Sequence, residues 1–158
     1  MKLFSDDIQD GGKLPQAQLF NGMGYQGENL SPHLAWDEAP AGTKSFVVTC
    51  FDPDAPTGSG WWHWVVANLP ATTRSLPRGA GAGDSALPQG AVHGRTDFGS
   101  AAYGGAAPPK GETHRYIFTV YALDTDRLEV DNQSSGALVG FNVHFHQLAS
   151  ASITALFA

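Results

Sequence analysis

Ser45-Phe46-Val47-Val48-Thr49-Cys50-Phe51 runs without a charge into Asp52-Pro53-Asp54-Ala55-Pro56, and Trp61-Trp62-His63-Trp64 follows within a few residues. The first segment concentrates β-branched and aromatic side chains, which suits a half-buried or buried strand. Two prolines within five residues exclude a helix and a central sheet strand, so Asp52 and Asp54 are expected on a stiff turn at the strand's end. Working outward, Phe46–Phe51, His63–Leu69 and His114–Leu123 read as strands, with a weaker one near Gln16–Phe20. The chain holds 19 glycines and 10 prolines, and they divide it into short apolar runs. That punctuation favours a mostly β fold.

Two other stretches complete the layout. Arg74–Gly111, rich in Gly, Ala and Pro, lies between two strands and reads as a long functional loop. After Asp131 the pattern changes: Ser134 or Ser135 can cap a helix whose apolar positions Leu138, Phe141, Phe145, Leu148 and Ile153 recur at roughly helical spacing. Neither an internal repeat nor a linker interrupts residues 1–158, which are expected to form one domain.

Composition narrows the function. Nine Lys and Arg stand against fifteen Asp and Glu, a net charge of -6. No basic cluster suited to a phosphate backbone is present, so neither nucleic acid nor an anionic membrane surface is an expected partner. The start of the chain, Met1–Asp7, carries no apolar stretch of signal-peptide length, and nowhere do about 18 apolar residues run together. A cytoplasmic protein without a transmembrane segment is expected. Cys50 is the single cysteine and belongs to an apolar strand, where a small buried thiol is its ordinary role.

Strand alternation sorts the polar residues onto faces. His114, Tyr116, Phe118, Val120 and Ala122 share one face of their strand, while Arg115 points away and is expected to pair with Asp54. The same exercise puts His63 with Trp61, Val65, Ala67 and Leu69. Two strands thus each offer a histidine at the start of an apolar face, and the Asp52 turn adds a rigid carboxylate. Imidazolium and tyrosine groups donate to an anion, while one carboxylate can orient a histidine. The other histidines, His33, His93, His144 and His146, are expected in surface or packing roles.

These residues carry a resemblance. Asp52–Pro56, Trp61–Trp64, and Tyr103-Gly104 through Pro108-Pro109-Lys110-Gly111 to His114-Arg115-Tyr116 resemble the phosphatidylethanolamine-binding protein family, in its short bacterial Raf-kinase-inhibitor-like branch. Asn29–Trp36 and Gly42–Phe46 extend the likeness upstream. The resemblance implies a large antiparallel sheet packed on a smaller one with short flanking helices, and a cis Ala55–Pro56 bond. It implies a pocket for phosphate-like and carboxylate groups, carried here by Asp52, His63, His114 and Tyr116, with Pro109 and Tyr103 in the wall and Trp61 as its floor. One proline of the family's loop is replaced by Ala106, and the C-terminal segment that lines the site in animal members is reduced.

The reading that follows is non-enzymatic binding of a small anionic ligand (phosphate, a phosphoethanolamine-like headgroup or a carboxylate) without a cofactor, with modulation of a kinase or other protein partner as an extension. Two alternatives belong to other classes. Asp52, His63 and His114 could hold a divalent metal and activate water for hydrolysis, although no HExxH or other close-spaced ligand pair occurs. Alternatively, the pocket recognises a phosphorylated or acidic protein partner. Exposed strand edges also allow a homodimer.

Overall fold

The computed structural model describes all residues, Met1–Ala158. Strands β1 (Lys2–Phe4), β2 (Leu34–Asp37) and β5 (Ser75–Leu76) form a three-stranded sheet in the order β1-β2-β5. Strands β3 (Ser45–Asp52), β4 (Trp61–Pro70), β6 (Val92–His93), β7 (His114–Leu123) and β8 (Gln147–Phe157) form a five-stranded sheet in the order β6-β4-β3-β7-β8. Every pairing is antiparallel. The three expected strands lie within β3, β4 and β7.

β3 sits at the centre of the larger sheet and is covered on both faces. Phe46, Val48 and Cys50 point to the smaller sheet, joining Leu34, Trp36, Leu76, Phe118 and Val120 in the main core. Trp36 and Phe46 meet there with ring centroids 5.5 Å apart. Val47 points the other way, into a second cluster with Val65, Ala67 and Leu123 beneath helix α1 (Gly136–His146). A strand buried on both faces reads as a continuous apolar run rather than an alternating one, as Ser45–Phe51 does.

Three expectations are corrected. Near Gln16–Phe20 the chain forms a 3-10 turn over Gln16–Gln18, not a strand. Its amides bond locally, Gln18 N–H to Pro15 O at 3.0 Å and Leu19 N–H to Gln16 O at 3.1 Å, so only Leu19 and Phe20 continue extended against Ala106.

Secondly, the helix is capped by Ser135, whose Oγ accepts from the Leu138 amide at 3.1 Å, but it presents the opposite face to the core. Val139 and Val143 are buried, and Gly136 lies so close to the Trp62 indole that a Cβ there would come within 2.4 Å of it. Leu138, Phe141, Phe145 and Leu148 are exposed. The small-residue face allows α1 to sit tightly on the sheet, which the bulkier face could not do.

Thirdly, the helix stops at His146, and Gln147–Phe157 is the edge strand β8. Its apolar residues follow period two: Ile153 and Ala155 are buried opposite Phe118 and Tyr116. The Ala55–Pro56 bond is trans, like every other peptide bond in the chain. No helix is long and apolar enough to cross a membrane.

Strand geometry at β8 makes a residue-by-residue prediction. Thr154 and Leu156 direct their amides outward, to Asp10 Oδ1 at 2.8 Å and Gly12 O at 2.9 Å. By the same parity Ser150 and Ser152 direct theirs to solvent, while Ala151 and Ile153 bond to β7. Amide hydrogen exchange is expected to show slow Ala151 and Ile153 between fast Ser150 and Ser152. Uniform protection across Gln147–Ile153 would instead indicate a helix.

Candidate functional site

Asp52 ends β3 and turns its carboxylate inward, where it is 3 % exposed. A buried carboxylate needs partners, and both oxygens have one. Oδ1 accepts the Asp54 amide at 2.8 Å, closing the turn that the prolines stiffen, and Oδ2 accepts Nδ1–H of His114 at 2.6 Å. Asp54 in turn receives Arg115 in a fork, Nε at 3.0 Å and Nη2 at 2.9 Å, with the Arg115 amide at 2.9 Å. The Arg115 hydrogen bonds hold the Asp54 carboxyl down at about 2. The expected pairing of Asp54 with Arg115 is therefore present, facing away from the site.

His114 has a second carboxylate. Its Nε2 lies 2.8 Å from Glu112 Oε1, so the protonated ring can donate to a carboxylate from both nitrogens. Burial works against the charge, but the Glu112 and Asp52 hydrogen bonds outweigh it and raise the pKa above 6.5. A group that donates from both nitrogens has no neutral form that satisfies both carboxylates.

His63 is the opposite case. The ladder between β3 and β4 slips by one residue between the Cys50–Trp64 and Phe51–Trp62 pairs, leaving His63 without a cross-strand partner. This bulge turns His63 to the side of Tyr116, with ring centroids 5.2 Å apart and edge-on, rather than to the side of Val65 and Ala67, as strict alternation implied. Nδ1 lies 2.8 Å from Gly104 O and must carry the hydrogen that joins them, so in the neutral ring Nε2 is an acceptor. Burial lowers the His63 pKa, only partly offset by Gly104 and by the Asp52 charge. Burial thus disfavours the imidazolium form expected of His63.

The side chains surround a cavity of about 190 Å³. Of the residues expected from the sequence, Asp52, Trp61, His63, Pro109, His114 and Tyr116 line it. Burial, with Asp52 and Cys50 adding, pushes the Tyr116 phenol above its ordinary value, so it stays a protonated donor. Trp61 meets Phe98 edge-on at 5.3 Å, and its indole Nε1 is buried without a hydrogen-bond partner.

Tyr103 is a correction. It is not among the lining residues but lies deeper, edge-on to Trp64 at 5.8 Å, with its hydroxyl donating to Gln18 O at 2.7 Å. Gly81 allows this depth, since a Cβ there would stand 2.4 Å from Tyr103 Cβ. Nor do Asp52, His63 and His114 assemble as metal ligands: no group of three or more His, Cys, Asp or Glu side chains is placed to hold a metal ion.

Sequence reasoning missed Glu112, Phe98 and Met23. Glu112 had a signal, since it stands two residues before His114 and therefore on the same side of an extended chain. Phe98, which stacks on Phe20 at 4.7 Å and edges His63 at 5.5 Å, comes from the long loop and had none. Of the remaining histidines, His93 is fully buried, accepting Trp64 Nε1–H at 2.9 Å with Asp84 3.0 Å from its other nitrogen, a packing role.

A two-sheet β protein with a small, mostly apolar cavity at the end of its central strands, closed by a carboxylate–imidazolium pair, is the class that fold and site define. Residues 4–158 match the family model described as phosphatidylethanolamine-binding protein. The chain is 72% identical to the UPF0098 protein YbhB of Escherichia coli over 158 residues, the full length of both. It is 53% identical to YbcL of the same organism over 155 residues, 97% of this chain and 85% of that one. The crystal structure of E. coli YbcL, described as a member of the mammalian PEBP family, superposes with a TM-score of 0.97 at 52% identity, covering 99% of this chain and 96% of that one. The protein belongs to the phosphatidylethanolamine-binding protein family. A homolog from Chlamydia trachomatis matches with a TM-score of 0.83 at 27% identity, covering 99% and 96% of the two chains.

The two histidines are predicted to titrate apart. The interactions of charged His114 stabilise the fold fully below the ordinary histidine value of about 6.5 and are lost as pH rises through its higher folded pKa. Buried neutral His63 costs stability as pH falls below about 6.5. In NMR titrations of the ring protons, His114 is expected to change above 6.5 and His63 below it. Asp52→Asn should lower the His114 transition and destabilise the protein by about 3 kcal/mol. An unmoved His114 transition would disprove the coupling.

Proposed function

We propose that the cavity binds small oxyanions reversibly and without chemistry: a phosphate-containing headgroup or metabolite, or a carboxylate. The observation that carries this reading is the Glu112 carboxylate resting on the outward nitrogen of His114 at 2.8 Å. An anionic group already occupies the position, held by a charge-assisted hydrogen bond of the stronger kind. An external anion entering there would meet the same imidazolium and the protonated Tyr116 phenol. Asp52 holds the imidazolium from behind and is not itself a ligand.

The apolar part of the wall, with Met23, Pro109 and Phe98, excludes water and strengthens these few polar contacts. The neutral His63 contributes an acceptor and a flat face rather than charge. The family takes its description from phosphatidylethanolamine, and a phosphate headgroup of that kind is one member of the ligand class proposed here.

Acetate tests the reading cleanly because its own charge does not change between pH 6 and 9. Titration of the labelled protein is expected to shift signals of Trp61, His114 and Tyr116, with affinity falling as pH rises through the His114 transition. Tyr116→Phe removes one donor, worth about 1 kcal/mol, and should weaken binding about fivefold. A flat pH profile, or shifts confined to other surfaces, would count against an anion pocket.

A further inference from the structure

Met23 is an apolar side chain held in the open at the rim of the cavity. It lines the cavity with Phe98 and Pro108 yet stands 71% exposed. The turn that carries it is closed by the Tyr25 amide on Gly22 O at 2.9 Å, and its two central residues, Met23 and Gly24, have φ of +54° and +86°. Two successive left-handed residues mark a type I′ turn, whose usual occupants are Gly, Asn and Asp. Methionine there costs conformational free energy that glycine would avoid, and so exposed a side chain recovers little of it by burial. The base of the turn is fixed: Gly27 N–H bonds to Phe20 O at 2.9 Å, Phe20 stacks on Phe98, and the Tyr25 hydroxyl donates to Pro108 O at 2.5 Å. The thioether is therefore presented at a set place beside the cavity wall.

A thioether in that position is open to oxidation, and the other sulfur atoms of the chain are shielded. Cys50, the single cysteine, is buried, and burial together with the Asp52 charge holds its thiol well above the ordinary value, which denies it the reactive thiolate. Met1, the only other methionine, is partly buried against the main core.

We infer that Met23 is an oxidation site through which a peroxide switches the cavity: the sulfoxide lowers its affinity for anions, and reduction of the sulfoxide restores it. The switch rests on the anion reading above, whereas the site of oxidation does not. In the step itself the sulfur lone pair forms an S–O bond to one peroxide oxygen as the O–O bond breaks. The other oxygen leaves as hydroxide and takes the proton of the transferred hydroxyl, giving sulfoxide and water. Sulfur is oxidised by two electrons and the peroxide is reduced by two. The change replaces a flexible apolar side chain with a polar one whose oxygen carries partial negative charge. That oxygen draws water to the rim and opposes an incoming anion, while the fold beneath is unaffected because Met23 belongs to neither hydrophobic cluster.

The protein is treated with hydrogen peroxide, mapped by peptide mass, and titrated with acetate at about pH 6.5 before and after treatment. Met23→Leu is compared with itself in the same way. Met23 is expected to gain one oxygen ahead of Met1 and Cys50. Acetate is expected to bind the oxidised protein about fourfold more weakly, the equivalent of one methylene-sized apolar contact. Methionine sulfoxide reductases should return the affinity to its starting value. Peroxide should leave acetate binding by Met23→Leu as it was in that variant, and native amide spectra after treatment exclude unfolding as the cause. Met23 left reduced while Met1 or Cys50 is oxidised would overturn the site. Oxidised Met23 with unchanged acetate affinity, or equal weakening by peroxide in Met23→Leu, would overturn the switch with the anion reading still standing. Absence of acetate binding by the untreated protein would overturn that reading and the switch together.

Discussion

A carboxylate placed at the end of a strand buried on both faces is the constraint from which the site follows. A carboxylate buried there needs hydrogen-bond partners, and each of its partners fixes a different part of the architecture. The Asp54 amide sets the course of the proline-stiffened turn, and Asp54 then anchors Arg115 at the start of β7. His114, one residue earlier, is drawn to the other oxygen and held as an imidazolium. One buried charge thereby couples the central strand to the strand beside it at the point where the cavity opens.

The two histidines show how position separates the behaviour of identical side chains. His114 lies between two carboxylates and retains its proton, while His63, a bulged residue against a backbone carbonyl and aromatic edges, stays neutral. Their charges diverge because one is surrounded by ionised acceptors and the other mainly by apolar atoms. The one imidazole of the cavity that favours the charged form is thereby paired with the Asp52 carboxylate, which lines the cavity beside it.

Much of this was legible from sequence, and the exceptions have physical reasons. The Asp52 turn was readable because proline chemistry is local, and the shared face of His114 and Tyr116 because β7 pairs with β8 in unbroken register from His114 to Ala122. His63 reached the right cavity from the wrong face: alternation cannot detect an inserted residue, and the bulge lies at His63 itself. The α1–β8 boundary was missed because Leu148 and Ile153 fit a helical spacing, whereas the small residues Ala149, Ala151 and Ala155 carry the period-two pattern too faintly to compete. The helix face was inverted for a related reason. Bulk suggested burial for Phe141 and Phe145, but close approach to Trp62 selects the face with Gly136. Tyr103 shows that motif proximity does not determine depth, as it stands beside the lining loop yet is bonded to Gln18 behind it.

The proposed function turns on whether a bound anion takes the place of the Glu112 carboxylate on His114. A crystal structure of the protein grown with phosphate tests it most directly. The expected structure has a phosphate oxygen about 2.7–2.9 Å from His114 Nε2, Asp52 still on Nδ1, and the Glu112 side chain turned away from the ring. Phosphate bound elsewhere with Glu112 still on His114 would contradict it.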